Sequence, residues 1–135
     1  MSANLDLVRS IYADLERGDI DIDRFCQTAS EWMHPDVEFV RPDGPEVGTW
    51  TGRERVVEVM RDINSTAEDY RELDGDRVLV LNKFSGRAKK SGMQMDQKGA
   101  EVFEIHDGRV TKIVQYANRD RALADLGLTL EGDTP

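Results

Sequence analysis

The sequence predicts an α+β domain in which helices come first and a curled antiparallel sheet then wraps over them. Three observations carry that expectation. In residues 5–15 and 53–64 apolar side chains recur at helical spacing; from Val78 onward they alternate with a period of two. The third is Asp107-Gly108 between two apolar runs, a dipeptide suited to a two-residue hairpin turn with positive φ at both positions.

The first helix covers residues 5–15, where Leu5, Val8, Ile11, Tyr12 and Leu15 share one face, Asp6 lies near the positive end and Gly18 provides a stop. A second, shorter helix starts within Asp21-Ile22-Asp23 and carries Phe25, Ala29 and Trp32. It breaks at His34-Pro35, because a residue before proline avoids helical angles. Val37 to Val40 reads as a short strand, and Arg41-Pro42-Asp43-Gly44-Pro45 as a turn that leads into Thr49-Trp50-Thr51-Gly52. Thr51 and Glu54 have capping-box spacing, with Val56, Val59, Met60 and Ile63 behind them, which places a third helix over 53–64. Strands follow at 78–83, 100–106 and 109–117, joined by short turns into an antiparallel meander. Asn118 is suited to cap a last helix, Asp120 to Leu126, with Gly127 as its C′ residue. Residues 1–128 are expected to form one domain and 129–135 a short tail.

At 135 residues, with 39% of them apolar, the chain can fill one core without disulfide or metal staples. The 27 acidic residues outnumber the 18 basic ones, giving a net charge of −9. Nucleic acid is therefore not expected as a partner, because phosphate binding needs a basic footprint. The one basic cluster, Arg87, Lys89, Lys90 and Lys98, falls in a turn-like stretch and reads as solvated loop charge. Residues 1–76 hold 19 acidic and 8 basic groups, so the helical layer is expected to be the acidic face. Cys26 is the only cysteine, which excludes an intrachain disulfide and makes the cytoplasm the expected location. The first residues show no export pattern, and no segment approaches the roughly 20 apolar residues of a membrane helix. No metal and no cofactor are expected: His34 and His106 lack ligand spacing, and calcium-type and glycine-rich phosphate loops are missing.

The order of elements and a series of local phrases resemble the SnoaL-like and ketosteroid-isomerase-like branch of the nuclear transport factor 2-like superfamily. The phrases are Tyr12 with Glu16-Arg17-Gly18-Asp19, His34-Pro35-Asp36-Val37-Glu38-Phe39, Thr51-Gly52, Gly75-Asp76-Arg77-Val78, Ser91-Gly92, Ala100-Glu101-Val102-Phe103 and Asp107-Gly108-Arg109-Val110. Tyr116, Asp120, Ala122-Leu123 and Gly127-Leu128 close the series. The resemblance implies a cone-shaped sheet (a cystatin-like roll), a conical pocket between sheet and helices, and a homodimer packed through the outer sheet face. Related isomerases carry a hydroxyl-bearing tyrosine on the first helix, where this chain has Ile11 with Tyr12 beside it, and a proton-shuttling aspartate where this chain has Arg41. The family's third position, an acid or histidine on the strand after the Ser-Gly turn, is occupied by Glu101.

Glu101 shares the face of Phe103 and Ile105 by the two-residue period, so its carboxyl is expected to point into the pocket. Burial there would raise its pKa, whereas a nearby Arg41 would lower it, and the sequence leaves both open. Tyr12 is either a phenol offered to a ligand or a core aromatic with a satisfied hydroxyl. Trp50 is either a wall at the pocket mouth or simple packing, and Trp32 and Phe103 are candidates for the apolar lining. Asn82, Gln115 and Asn118 either orient a ligand or satisfy one another and the backbone. His34 reads as part of a strand-entry turn and His106 as an exposed hairpin tip. Val102, Val114 and Tyr116, facing away from the pocket, would give the apolar surface for a second copy of the chain.

Two functions follow as expectations. One is a cofactor-independent isomerase, cyclase or hydrolase acting on an apolar, carbonyl-bearing or polycyclic substrate, with Glu101, Tyr12 and Arg41 as its chemical groups. The alternative is a non-catalytic homodimeric domain holding a small apolar molecule in the same pocket. An interaction module using the acidic face has no motif behind it and ranks last.

Overall fold

The computed structural model describes residues 3–16, 27, 29–43, 47–61, 65–87 and 94–128. In chain order these form α1 (Ala3–Glu16), a helical turn at 29–32, β1 (Met33–Arg41), β2 (Gly48–Thr51), α2 (Arg53–Arg61), β3 (Ser65–Asp74), β4 (Arg77–Arg87), β5 (Gln94–His106), β6 (Arg109–Tyr116) and α3 (Arg119–Asp125). Six strands make one sheet in the order β2-β1-β6-β5-β4-β3. The α+β class holds, with one correction: β1 runs parallel to β6, so the sheet is mixed and not wholly antiparallel. Period-two alternation reports which face a residue shows; it carries no information on the direction of the neighbouring strand.

Apolar residues on the inner face of the sheet meet α1, the helical turn and α2. Val8, Ile11 and Tyr12 of α1, Trp32 and Met33, and Val56 of α2 pack with Val37, Phe39, Val78, Val80, Phe103 and Ile113 in the main core. The alternate residues of the same strands face the other way. Leu79, Leu81, Ala100, Val102 and Tyr116 form a second core, closed by Ala122 and Leu123 of α3. Two of the three residues expected to await a second chain, Val102 and Tyr116, are thus buried by this chain's own last helix. The Tyr116 hydroxyl donates to Asp125 Oδ2 at 3.2 Å and ties that helix down.

Several local expectations are met atom by atom. Asp107 and Gly108 both have positive φ, +53° and +78°, as the hairpin requires. The Asn118 side chain accepts from the Arg121 amide, and Gly127 follows the helix with φ +71°. His34 Nδ1 accepts the Asp36 amide at 3.0 Å, and β1 begins at Met33, directly after the helical turn.

The third helix spans 53–61, and the Gly52 carbonyl receives its first bond from Val56 N at 3.0 Å. The cap position is therefore one residue beyond Thr51, out of capping-box register. Two strands were not expected, β2 and β3. β3 is an edge strand with exposed Glu68, Asp69 and Glu72, charges that discourage pairing with another chain and also hide the apolar alternation. Part of the acidic excess lies there and not on the helices. β4 and β5 reach Arg87 and start at Gln94, so Arg87 and Lys98 are strand residues and not turn residues. Gly18, Asp21 to Phe25, Cys26, Gly44-Pro45, Ile63, Lys89, Lys90, Ser91-Gly92 and the tail from 129 lie outside the described residues. Among the described residues no helix is long and apolar enough to cross a membrane.

Candidate functional site

One cross-sheet row gathers most of the candidate polar residues. Tyr70 of β3 pairs with Val80 of β4, Val80 with Glu101 of β5, and Glu101 with Gln115 of β6. Val40 pairs with Val114, so the next residue of β1, Arg41, comes beside Gln115. Side chains directly opposite on one face lie within contact distance. The neighbouring row, Ala67, Asn82 and Gly99, brings the Asn82 amide alongside.

The Glu101 carboxylate is the centre of the resulting network. Tyr12, reaching down from α1, donates its hydroxyl to Oε1. Asn82 Nδ2 lies 3.2 Å from both Glu101 Oε1 and the Tyr12 hydroxyl oxygen, and Gln115 Nε2 donates to Oε2 at 3.1 Å. Arg41 Nε donates to Gln115 Oε1 at 2.8 Å, one residue removed from the carboxylate. All but Arg41 are buried, and the walls are apolar. The alternative that the sequence left open is decided by burial: desolvation pushes the Glu101 carboxyl up to about 7, against the opposing hydrogen bond from Gln115.

Aromatic rings enclose this group. Tyr12 meets Tyr70 and Phe103 edge to face, each at 6.1 Å between ring centres. The Arg41 guanidinium lies 5.3 Å from the Trp50 ring centre and 5.5 Å from that of Phe39, and those two rings touch each other edge to face. Trp50 is half-buried on β2 and packs on the main core, whereas Trp32 is buried within it. The structure thus brings Glu101, Tyr12, Asn82, Gln115 and Arg41 into one chain of hydrogen bonds, with Phe103 and Trp50 against its members.

Other candidates are elsewhere. Asn118 is an exposed helix cap. His106 is exposed at the hairpin, with Nδ1 3.9 Å from Asp76 Oδ1. A surface cleft of about 600 Å³, bounded by Ser30, Pro35, Thr51 and Arg53 to Arg55, contains none of the network residues. Sequence reasoning missed Tyr70, which lies in the unrecognised β3, and Arg119, whose burial has no local signature.

The comparisons with known proteins agree with this architecture. The model of the SnoaL-like domain matches residues 8–113. The uncharacterized protein Rv0034 of Mycobacterium tuberculosis is 28% identical over 121 residues, covering 84% of this chain and 88% of that protein. An NTF2-like protein of unknown function from Burkholderia pseudomallei superposes with a TM-score of 0.69 at 22% identity, covering 92% of this chain and 97% of that one. A hypothetical protein with a ketosteroid isomerase-like fold from Catenulispora acidiphila, in complex with trimethylamine, has a TM-score of 0.64 at 19% identity, covering 96% and 97% of the two chains.

Proposed function

Because the chain belongs to the SnoaL-like domain family, we propose that it is a cofactor-independent enzyme of the isomerase, cyclase or hydrolase type, acting on an apolar, carbonyl-bearing or polycyclic small molecule. The observation that carries this reading is the row Glu101-Gln115-Arg41, with Tyr12 and Asn82 against it, set in an otherwise apolar interior. A carboxyl pushed to about 7 gives and takes protons near neutral pH at comparable cost, which is the property a general acid or base needs. In this proposal Glu101 moves a proton of the substrate, Tyr12 or Arg41 steadies the negative charge that develops, and Asn82 and Gln115 orient the ligand. Trp50, Phe103 and Trp32 supply apolar surface. The proposal includes a cytoplasmic home and a homodimer packed through the outer sheet face, where Val114 is half-buried, which sedimentation tests.

The test begins with native mass spectrometry and identification of any small molecule released on denaturation. Turnover of that compound and of a panel of related carbonyl compounds is then compared for the wild type and Glu101→Gln. Loss of about a hundredfold or more is expected. Undiminished turnover by the variant removes Glu101 from the mechanism.

A second reading has its own support. The groups donating to Glu101 all belong to the protein, so its carboxyl has three hydrogen-bond donors without a ligand. That arrangement suits a domain that binds a small apolar molecule and leaves it unchanged. Recovery of the bound compound intact after prolonged incubation, with no turnover by wild type, favours this reading.

A further inference from the structure

Arg119 is a buried arginine, and it lies on the opposite side of the sheet from the Glu101 network. It opens α3, which packs on the second core, whereas Tyr12 belongs to the main core. Its Nε donates to the Gly99 carbonyl at 3.1 Å, and one terminal nitrogen donates to the Asn82 carbonyl at 2.8 Å and to Glu68 Oε1 at 2.6 Å. Asn82 and Gly99 are direct partners across β4 and β5. Neither presents a side chain to α3, since Asn82 points to Tyr12 and Gly99 has none, so the guanidinium can lie against the bare backbone of that rung.

Glu68 reaches Arg119 because of a bulge. Ala67 pairs with Asn82 and Asp69 with Leu81, so Glu68 is the extra residue in β3. Bulges re-aim side chains, and here the extra residue supplies the anion that holds the arginine. Arg119 in turn holds the Glu68 carboxyl below its usual range. The fork of donors spans three strands, a geometry open to arginine and not to the single nitrogen of lysine.

We propose that Arg119, anchored by Glu68, is a positioning residue that fixes the backbone of Asn82 from the outer face and thereby holds the Asn82 amide against Tyr12 and Glu101 on the inner face. This rests on the reading of Glu101 as the working carboxyl. Through Arg119 the C-terminal helix becomes part of the site without touching a ligand. A loosened Asn82 would admit water beside the carboxyl and let its pKa fall toward the ordinary range.

The test uses the whole protein and needs no substrate. NMR reads the titration of the carbon-13-labelled Glu101 carboxyl and the exchange of the Asn82 side-chain amide protons in the wild type, Arg119→Lys and Arg119→Met. In folded Arg119→Lys, which keeps the charge and loses the fork, the Glu101 midpoint is expected to fall by about one pH unit, a tenfold change in its protonation ratio. The Asn82 amide protons are expected to exchange about tenfold faster, as for an opening made less costly by about 1.4 kcal/mol. Unchanged midpoint and exchange in that variant, with only thermal stability lost, overturn the proposal. So does an upward midpoint shift confined to Arg119→Met, the sign of a lost positive charge alone. Should Arg119→Lys fail to fold, Glu68→Gln at the exposed end of the clamp decides through Asn82 exchange: faster supports the clamp, unchanged overturns it. A wild-type Glu101 midpoint near 4.5 would remove the functional reading of that carboxyl, while the exchange comparison would still test the clamp.

Discussion

Replacing Glu101 by Gln should convert a pH-dependent stability into a flatter one. The folded protein holds the Glu101 proton to about pH 7, whereas an unfolded chain releases it at about 4.5. Unfolding therefore sheds a proton between those values, and stability from this group is complete below the lower one and lost as pH rises through the upper one. A displacement of roughly 2.5 units at 1.36 kcal/mol each amounts to about 3 kcal/mol, most of it between the two values, pH 4.5 and about pH 7. Gln has the same shape, stays neutral throughout and keeps an acceptor for Tyr12, so its curve lacks this fall. Urea denaturation of both proteins at a series of pH values, followed by far-UV circular dichroism, yields the difference directly and cancels every other titrating group. The wild type should lose about 3 kcal/mol relative to the variant across that range. A difference independent of pH refutes burial as the dominant influence on Glu101. A wild type that gains on the variant as pH rises would mean that Arg41 and the three donors hold the carboxyl ionised.

Gln115→Leu removes a donor to Glu101 and the acceptor of Arg41 Nε together. It should raise the carboxyl midpoint above about 7, since the Gln115 bond opposes the burial shift, and should cost about 2 kcal/mol, read by NMR titration and chemical denaturation. At the C-terminal helix, Asn118→Ala should lose about 1 kcal/mol with its cap. Gly127→Ala should lose a similar ~1 kcal/mol, wholly from backbone strain at φ +71°, because the added methyl meets nothing within 4 Å; thermal melts measure both.

The local grammar of the chain was readable before its folding. The Asp107-Gly108 turn, the Asn118 cap, the Gly127 terminator and the first helix each depend on residues close in sequence, and each formed as its side chains require. The inward direction of Glu101 followed from its parity with Phe103, since alternation along one strand needs no partner to be known. β3 escaped notice because an edge strand is wetted and charged, and β2 because four residues are too few to show a period.

Composition also set an expectation about partners, since a net charge of −9 is unfavourable for binding phosphate backbones. The series of phrases along it led to its family, and residues 8–113 match the SnoaL-like domain. The tertiary structure alone decided the partners. Glu101, Gln115 and Arg41 are neighbours only because β5 pairs antiparallel with β6, and β6 parallel with β1, in one register. Shifting either pairing by a single residue would turn one of these side chains to the outer face. The protonation of Glu101 was likewise beyond the sequence, because it depends on how much water the surrounding layers exclude, and Arg119 gained its place only when α3 folded back across two strands. Sequence determines which face a residue shows and where a segment turns; the long-range pairing determines which charges meet and how dry they are.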